Sequence, residues 1–200
     1  VMRNIERTVD GSVVSLRLSR GVTNALTTEM VSELGSAVRD VDTGCGVLLC
    51  GGDKFFSNGV DLEWALEQDH AGMRELFLEL GLCVLSVLES PRPVVGAVKG
   101  HAIGGAAALF LSCDYRFGAT GRVLIGKPET LLGVPNPYYG DQILRFVAGD
   151  YVASDLIYQG RLVSAESAVS LGLVHDVAGP RDIEALARER LDGLLGLTQD

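Results

Sequence analysis

Twice in this chain an apolar run breaks into a glycine-rich turn and then re-enters a helix-like pattern. The first case is "GVLLCGGDKFFSNGVDLEWAL", Gly46 to Leu66; the second is "PVVGAVKGHAIGGAAALFLSC", Pro93 to Cys113. Short apolar runs closed by glycines read as buried strands. Strands that alternate with helices predict an α/β fold with crossover connections. Ligands in such folds bind beyond the carboxyl ends of strands, and both turns lie at such ends.

The remaining pattern agrees with this. "SVVSLRLS" (Ser12–Ser19) alternates and predicts a strand, and "NALTTEMVSELGSAVRDV" (Asn24–Val41) predicts an amphipathic helix. The segment from Asp61 to Ser90 has helical period, with a break expected near Gly72. "YRFGA" and "VLIG" read as short strands, "DQILRFVAG" and "SAESAVSLGL" as helices, "VHDVAG" as a strand and "RDIEALARERLDGLLGL" as a last helix. No repeat of fixed period and no low-complexity linker interrupts the chain, so a single domain over residues 1–200 is expected.

Composition narrows the partners. With 47% hydrophobic residues the 200-residue chain can bury an ordinary core. A formal net charge of -9 argues against a nucleic acid or an anionic membrane as partner, while leaving room for an anionic small ligand at a locally positive site. No apolar run approaches the roughly 20 residues that span a bilayer, and no signal-peptide pattern is visible. Cys45, Cys50, Cys83 and Cys113 are scattered, without a CxxC pair or a histidine at ligand spacing. They predict reduced thiols in a cytoplasmic protein and no metal site.

The turns have a plain chemical use. Glycine admits a close approach of backbone N–H to a ligand, and a helix start offers unpaired N–H groups. Two such groups aimed at one point make an oxyanion hole. From spacing alone, the plainer reading is that Gly59, Gly104 and Gly105 only satisfy turn geometry. "GHAIGG" is not GxGxxG, and there is no GxSxG elbow or P-loop.

These residues carry a resemblance. "KFFSNGVDL" resembles the first signature of the crotonase superfamily, the enoyl-CoA hydratase/isomerase family, and "PVVGAVKGHAIGGAAALFLSCDYRFGA" resembles the second. "KPETLLGVPNPYYGDQILRFVAG", "SAESAVSLGLVHDV" and "NALTTEMVSEL" match other family segments in the right order. The resemblance runs from about Ser12 to Val177. It implies a crotonase (ClpP-like) spiral of ββα units, with two near-perpendicular sheets surrounded by helices. It also implies that most of the usual C-terminal helical region is lacking, and that the chain forms a trimer or hexamer.

The implied substrate is an acyl-CoA thioester, with coenzyme A entering as part of the substrate and no further cofactor. The oxyanion donors fall on the N–H groups of Val60 and Gly105. Phe55 and Phe56 would pack under the turn. Lys54, Gly59, Asp61, Leu62, Gly104, Ala108 and Tyr138 would bind substrate, although Lys54 reads equally as a solvated loop lysine and Asp61 as a helix cap.

Side chains decide the reaction. Hydratases of the family carry two glutamates; the position of the first is Ala108 here, and the second is Glu129. One carboxylate suits proton transfer between two carbons, as in the Δ3,Δ2-enoyl-CoA isomerases, and the apolar neighbours of Glu129 suit it to that task. Without the resemblance, Glu129 reads as a surface glutamate paired with Lys127. Hydration, another crotonase-type reaction or simple acyl-thioester binding are the alternatives. His101 reads as structural, Glu63 and Glu67 as a solvated stripe, and Asp141 as the one candidate for a second acid. "PNPYYGD" stands where hydratases have a glycine-rich stretch, so the acyl pocket is expected to differ.

Overall fold

The computed structural model describes residues 2–197. The ends of the expected domain, residues 1 and 198–200, lie outside the described residues. The chain opens with an antiparallel pair, β1 (Ile5–Asp10) and β2 (Val13–Leu18), turned at Gly11. Then come α1 (Thr28–Arg39), β3 (Gly46–Cys50), β4 (Phe55–Ser57), α2 (Leu62–Leu66), α3 (His70–Leu88), β5 (Val94–Val98), β6 (His101–Ile103) and α4 (Gly105–Leu111). After these follow β7 (Tyr115–Ala119), β8 (Leu124–Gly126), a 3₁₀ turn (Glu129–Leu132), α5 (Tyr138–Gln159), β9 (Leu162–Ser164), α6 (Ala165–Ser170), β10 (Asp176–Ala178) and α7 (Ile183–Gly196).

The strands form two sheets. The larger has the order β1-β2-β3-β5-β7-β10 and is parallel except at β1–β2; the smaller has the order β4-β6-β8-β9 and is parallel except at β8–β9. Each repeat therefore sends one strand to the large sheet, a second strand to the small sheet and then a helix, as β3-β4-α2/α3 and β5-β6-α4 show. This is the crotonase architecture. Every residue of β3 and β5 is buried, as their unbroken apolar runs require.

Three expectations shift at their boundaries. The first helix begins at Thr28, not Asn24. Thr27 caps it through Met30 N–H, and Asn24 instead adopts a left-handed backbone (φ 47°) in the preceding loop. The break expected near Gly72 falls at residues 67–69, where the Asp69 carboxylate accepts the Gly72 N–H at 2.8 Å and starts α3 at His70. α5 runs on to Gln159 across a kink at Gly149 (φ 79°), ten residues beyond the helix read from sequence.

Three of the four thiols, Cys50, Cys83 and Cys113, are buried, and that burial pushes each up to about 12. Cys45 is partly exposed, and all four are free. Among the described residues no helix is long and apolar enough to cross a membrane, and no cluster of His, Cys, Asp and Glu could hold a metal ion.

Candidate active site

The first turn is built by hydrogen bonds that leave one backbone donor over. Buried Ser57 accepts the Gly59 N–H at 3.1 Å. Gly59, at φ +83°, then passes its carbonyl to the Leu26 N–H (2.8 Å), and the Asp61 N–H reaches back to the Leu26 carbonyl (3.0 Å). These two bonds make an isolated parallel bridge between Leu26 and Val60. In that pattern Leu26 uses both of its backbone groups and Val60 uses neither. The Val60 N–H is thus turned away from Leu26.

The loop before α1 clamps this turn. Asn24 Nδ2 donates to the carbonyls of Phe55 (3.3 Å) and Phe56 (3.1 Å), while its Oδ1 accepts the Arg20 N–H (2.7 Å). Arg20 Nη1 donates to the Ala25 carbonyl (2.9 Å) and to Asp61 Oδ2 (2.8 Å). Asp61 Oδ1 caps α2 through the Trp64 N–H at 3.1 Å. That cap, followed by the hydrogen bond and charge of Arg20, holds the Asp61 carboxyl below its ordinary range despite some opposing burial. Sequence reasoning missed Arg20 and Asn24, whose roles rest on contacts more than thirty residues away in sequence.

The second turn faces the first. Gly104 (φ 61°, ψ −124°) takes a backbone that only glycine adopts readily, and Gly105 opens α4. N–H groups of a first helical turn have no partner within their own helix. A Cβ built at Gly104 would stand 3.5 Å from Glu129 Oε1 and 4.0 Å from Gly59 Cα; one at Gly59 would stand 3.6 Å from Gly105 N. Gly59, the Gly104–Gly105 pair and Glu129, from three separate stretches of the chain, therefore share one small neighbourhood. Ala108 is fully buried one turn along α4.

Glu129 opens the 3₁₀ turn after β8. Its Oε1 accepts Lys127 Nζ at 2.8 Å, and its Oε2 is buried with no hydrogen-bond partner. The ion pair weighed from sequence therefore exists, but it is not on the surface: Lys127 and Glu129 side chains are 1% and 14% exposed. The apolar neighbours Leu131 and Leu132 point outward, so they do not shield Glu129. Burial pulls the Lys127 ammonium below its ordinary range, opposed by the adjacent Glu129 charge.

The other expected residues divide. Phe56 is buried and tilted against Phe110 (6.2 Å between ring centroids), and Phe55 meets His101 edge-on at 5.2 Å; both pack under the turn. Lys54 is exposed, its Nζ 5.6 Å from the Phe55 ring, and Leu62 is exposed at the start of α2. Tyr138 points outward, 79% exposed, while its neighbour Tyr139 turns in. The Tyr139 ring packs over Gly81 of α3, and its hydroxyl is buried without a partner, as are both amide atoms of Asn136. Successive helix positions differ by about 100°, so only one of the two tyrosines can face inward. Asp141 is held by Arg145 (2.8 Å) and lies with it in a partly exposed ion pair. A cavity of about 570 Å³ is lined by Arg20, Thr27, Glu29, Trp64 and Glu75 among others; Glu129 does not line it.

Comparison with known proteins identifies the family. The chain is 34% identical to YngF of Bacillus subtilis, whose name assigns it to the enoyl-CoA hydratases/isomerases, over 83% of this chain and 65% of that protein. It is 33% identical to the probable enoyl-CoA hydratase EchA17 of Mycobacterium tuberculosis, over 92% of this chain and 73% of that one. The chain thus spans about two thirds to three quarters of these relatives. Among solved structures, an enoyl-CoA hydratase from Bacillus anthracis superposes with a TM-score of 0.91 at 30% identity, over 96% of this chain and 76% of that one. The human mitochondrial delta3-delta2-enoyl-CoA isomerase superposes equally well (0.91; 98% and 78% covered), but at 24% identity that likeness speaks to the fold alone. The family description "Enoyl-CoA hydratase/isomerase" itself matches residues 8–198, and the chain belongs to that family.

Proposed function

We propose that the protein moves the double bond of a 3-enoyl-CoA into conjugation with the thioester, with Glu129 as the only base. The observation that carries this reading is one free carboxylate oxygen. Glu129 Oε2 is buried and unpartnered, and its carboxyl group lies against the Gly104 turn, while Ala108 puts a methyl group where a second carboxylate would be needed to hold water. Glu129 takes a proton from C2. The N–H groups of Val60 and Gly105 receive the enolate oxygen that forms, and no reorganisation is needed because the backbone fixes them beforehand. The carboxylic acid then returns the proton to C4, so the product is the 2-enoyl isomer and the base is regenerated. In this reading Lys54 and Leu62 border the exposed route taken by the CoA portion, Asp61 holds the turn, and Gly59 and Gly104 let the thioester approach.

The test is an ultraviolet assay with a medium-chain 3-enoyl-CoA beside its 2-enoyl isomer. Rising conjugated-thioester absorbance from the first, with none lost from the second, is the expected result; loss from the second would replace isomerisation by hydration. Hydration has its own support in the hydratase from Bacillus anthracis and in EchA17. A homo-oligomer, trimer or hexamer, is part of the same proposal: α5 exposes Tyr138, Phe146, Tyr151 and Tyr158, and light scattering of the purified chain measures whether copies assemble.

A further inference from the structure

One ammonium group touches both halves of the proposed site. Lys127 Nζ lies 2.8 Å from Glu129 Oε1 and 3.3 Å from the carbonyl oxygen of Gly104. That carbonyl belongs to the peptide whose N–H is the Gly105 donor. The peptide is trans, so its C=O and N–H point in opposite directions. A cation on the oxygen side therefore aims the N–H away from Lys127 and withdraws electron density from it, which makes it a better donor.

The same contact chooses between the two oxygens of Glu129. Oε1 is spent on Lys127, and Oε2 is left without a partner. The lysine is itself held by exclusion. It is buried, and a Cβ on Gly140 of α5 would stand 2.9 Å from its Nζ and 3.1 Å from Asn136 Oδ1. A buried lysine is costly unless it is paired and hydrogen-bonded, so so specific an arrangement calls for a use.

We infer that Lys127 is a positioning residue that ties the base to the oxyanion donor, presenting Glu129 Oε2 to the substrate and orienting and polarising the Gly104–Gly105 peptide. The inference rests on the proposed function for its substrate. It makes one claim that a structural ion pair would not: removing Lys127 weakens the polarisation of a bound thioester carbonyl, although Lys127 itself does not touch it. The Gly104 carbonyl also accepts the N–H groups of Ala107 (3.0 Å) and Ala108 (3.3 Å). If those helical bonds sufficed, Lys127 would be dispensable for polarisation.

The experiment uses a CoA thioester conjugated to an electron-donating aromatic ring, whose absorbance moves to the red when its carbonyl oxygen is polarised. The wild type is expected to shift it. Glu129→Gln should keep that shift while losing turnover. Lys127→Met should lose much of the shift and lower kcat by roughly 100-fold, with KM changed by no more than about threefold. Gly140→Ala keeps both charges and favours the helix, yet crowds Nζ; it should lower kcat by about tenfold with stability intact. A full red shift in Lys127→Met, or wild-type kcat in both variants, overturns the inference. The amide NMR signal of Gly105 reads the same question without any substrate. It should move in Lys127→Met and in Gly140→Ala, and an unmoved signal in both overturns the positioning role whatever the protein acts on. A wild type that neither shifts the probe nor turns over an enoyl-CoA, but shows the Gly105 response, would instead overturn the proposed function and leave the positioning intact.

Discussion

No side chain fits at Gly59, because a Cβ there would stand 2.7 Å from the carbonyl oxygen of Ile103. The backbone at Gly59 is also left-handed, at φ +83°. Gly59→Ala is expected to cost about 1–2 kcal/mol for the backbone alone, with the clash added. The midpoint of urea unfolding should fall with no change in slope, and CoA-ester binding should weaken, because Val60 follows immediately.

Glu129→Gln should lower turnover by about 10²–10⁴-fold, the usual worth of a positioned base. It should also destabilise, because it leaves the buried Lys127 ammonium without its counter-charge; losses of about 3–5 kcal/mol are typical when one member of a buried pair is removed. The double variant Lys127→Met with Glu129→Gln leaves no buried charge in this pair. We expect it to melt above both single variants while remaining inactive, which calorimetry and the ultraviolet assay check together.

His101 and His175 give the fold an acid limit. Each ring accepts a backbone N–H at Nδ1, His101 from Leu124 and His175 from Arg116, both at 3.1 Å. Burial lowers both, helped by the charge of Lys54 on His101 and of Arg116 and Arg190 on His175. A lowered value in the folded state means that folding prefers the neutral ring. The stability they contribute is therefore complete above the ordinary histidine value of 6.5 and is lost as pH falls through each lowered value. Denaturant midpoints should decline on that acid side, and a variant with both histidines replaced by glutamine should show a flatter profile there.

Asp61 separates a cap from an ion pair. Asp61→Asn retains a capping oxygen for Trp64 but loses the charge opposite Arg20. Asp61→Ala loses both. We expect about 1 kcal/mol for the alanine variant and only a few tenths for asparagine, since the ion pair is partly exposed. Thermal melts of the two variants read the difference.

How legible all this was in the sequence depends on the residue. Gly46–Cys50 and Val94–Val98 announce buried strands because nothing polar interrupts them. β1 does not, because only Ile5 of its six residues is buried; it is a strand through its pairing with β2, and no local pattern carries that. The two glycine turns were readable as candidate donors only through the family resemblance, since spacing alone is satisfied by turn geometry. The direction of the Val60 N–H was not, because it is set by the bridge to Leu26. The Lys127–Glu129 pair was visible at a spacing of two residues, but its burial was not: the chain turns Leu131 and Leu132 outward and closes the site with residues of α5 instead. Tyr138 and Tyr139 differ only in helical phase, which Pro137 fixes by starting α5 where it does.

The burial of three thiols has a practical consequence. Cys50, Cys83 and Cys113 are sealed and protonated at neutral pH, whereas Cys45, just before β3, is partly open. A maleimide dye added to the native protein should therefore label one site. That makes the unaltered chain its own single-fluorophore reporter, ready for following assembly or unfolding without engineering a cysteine into it.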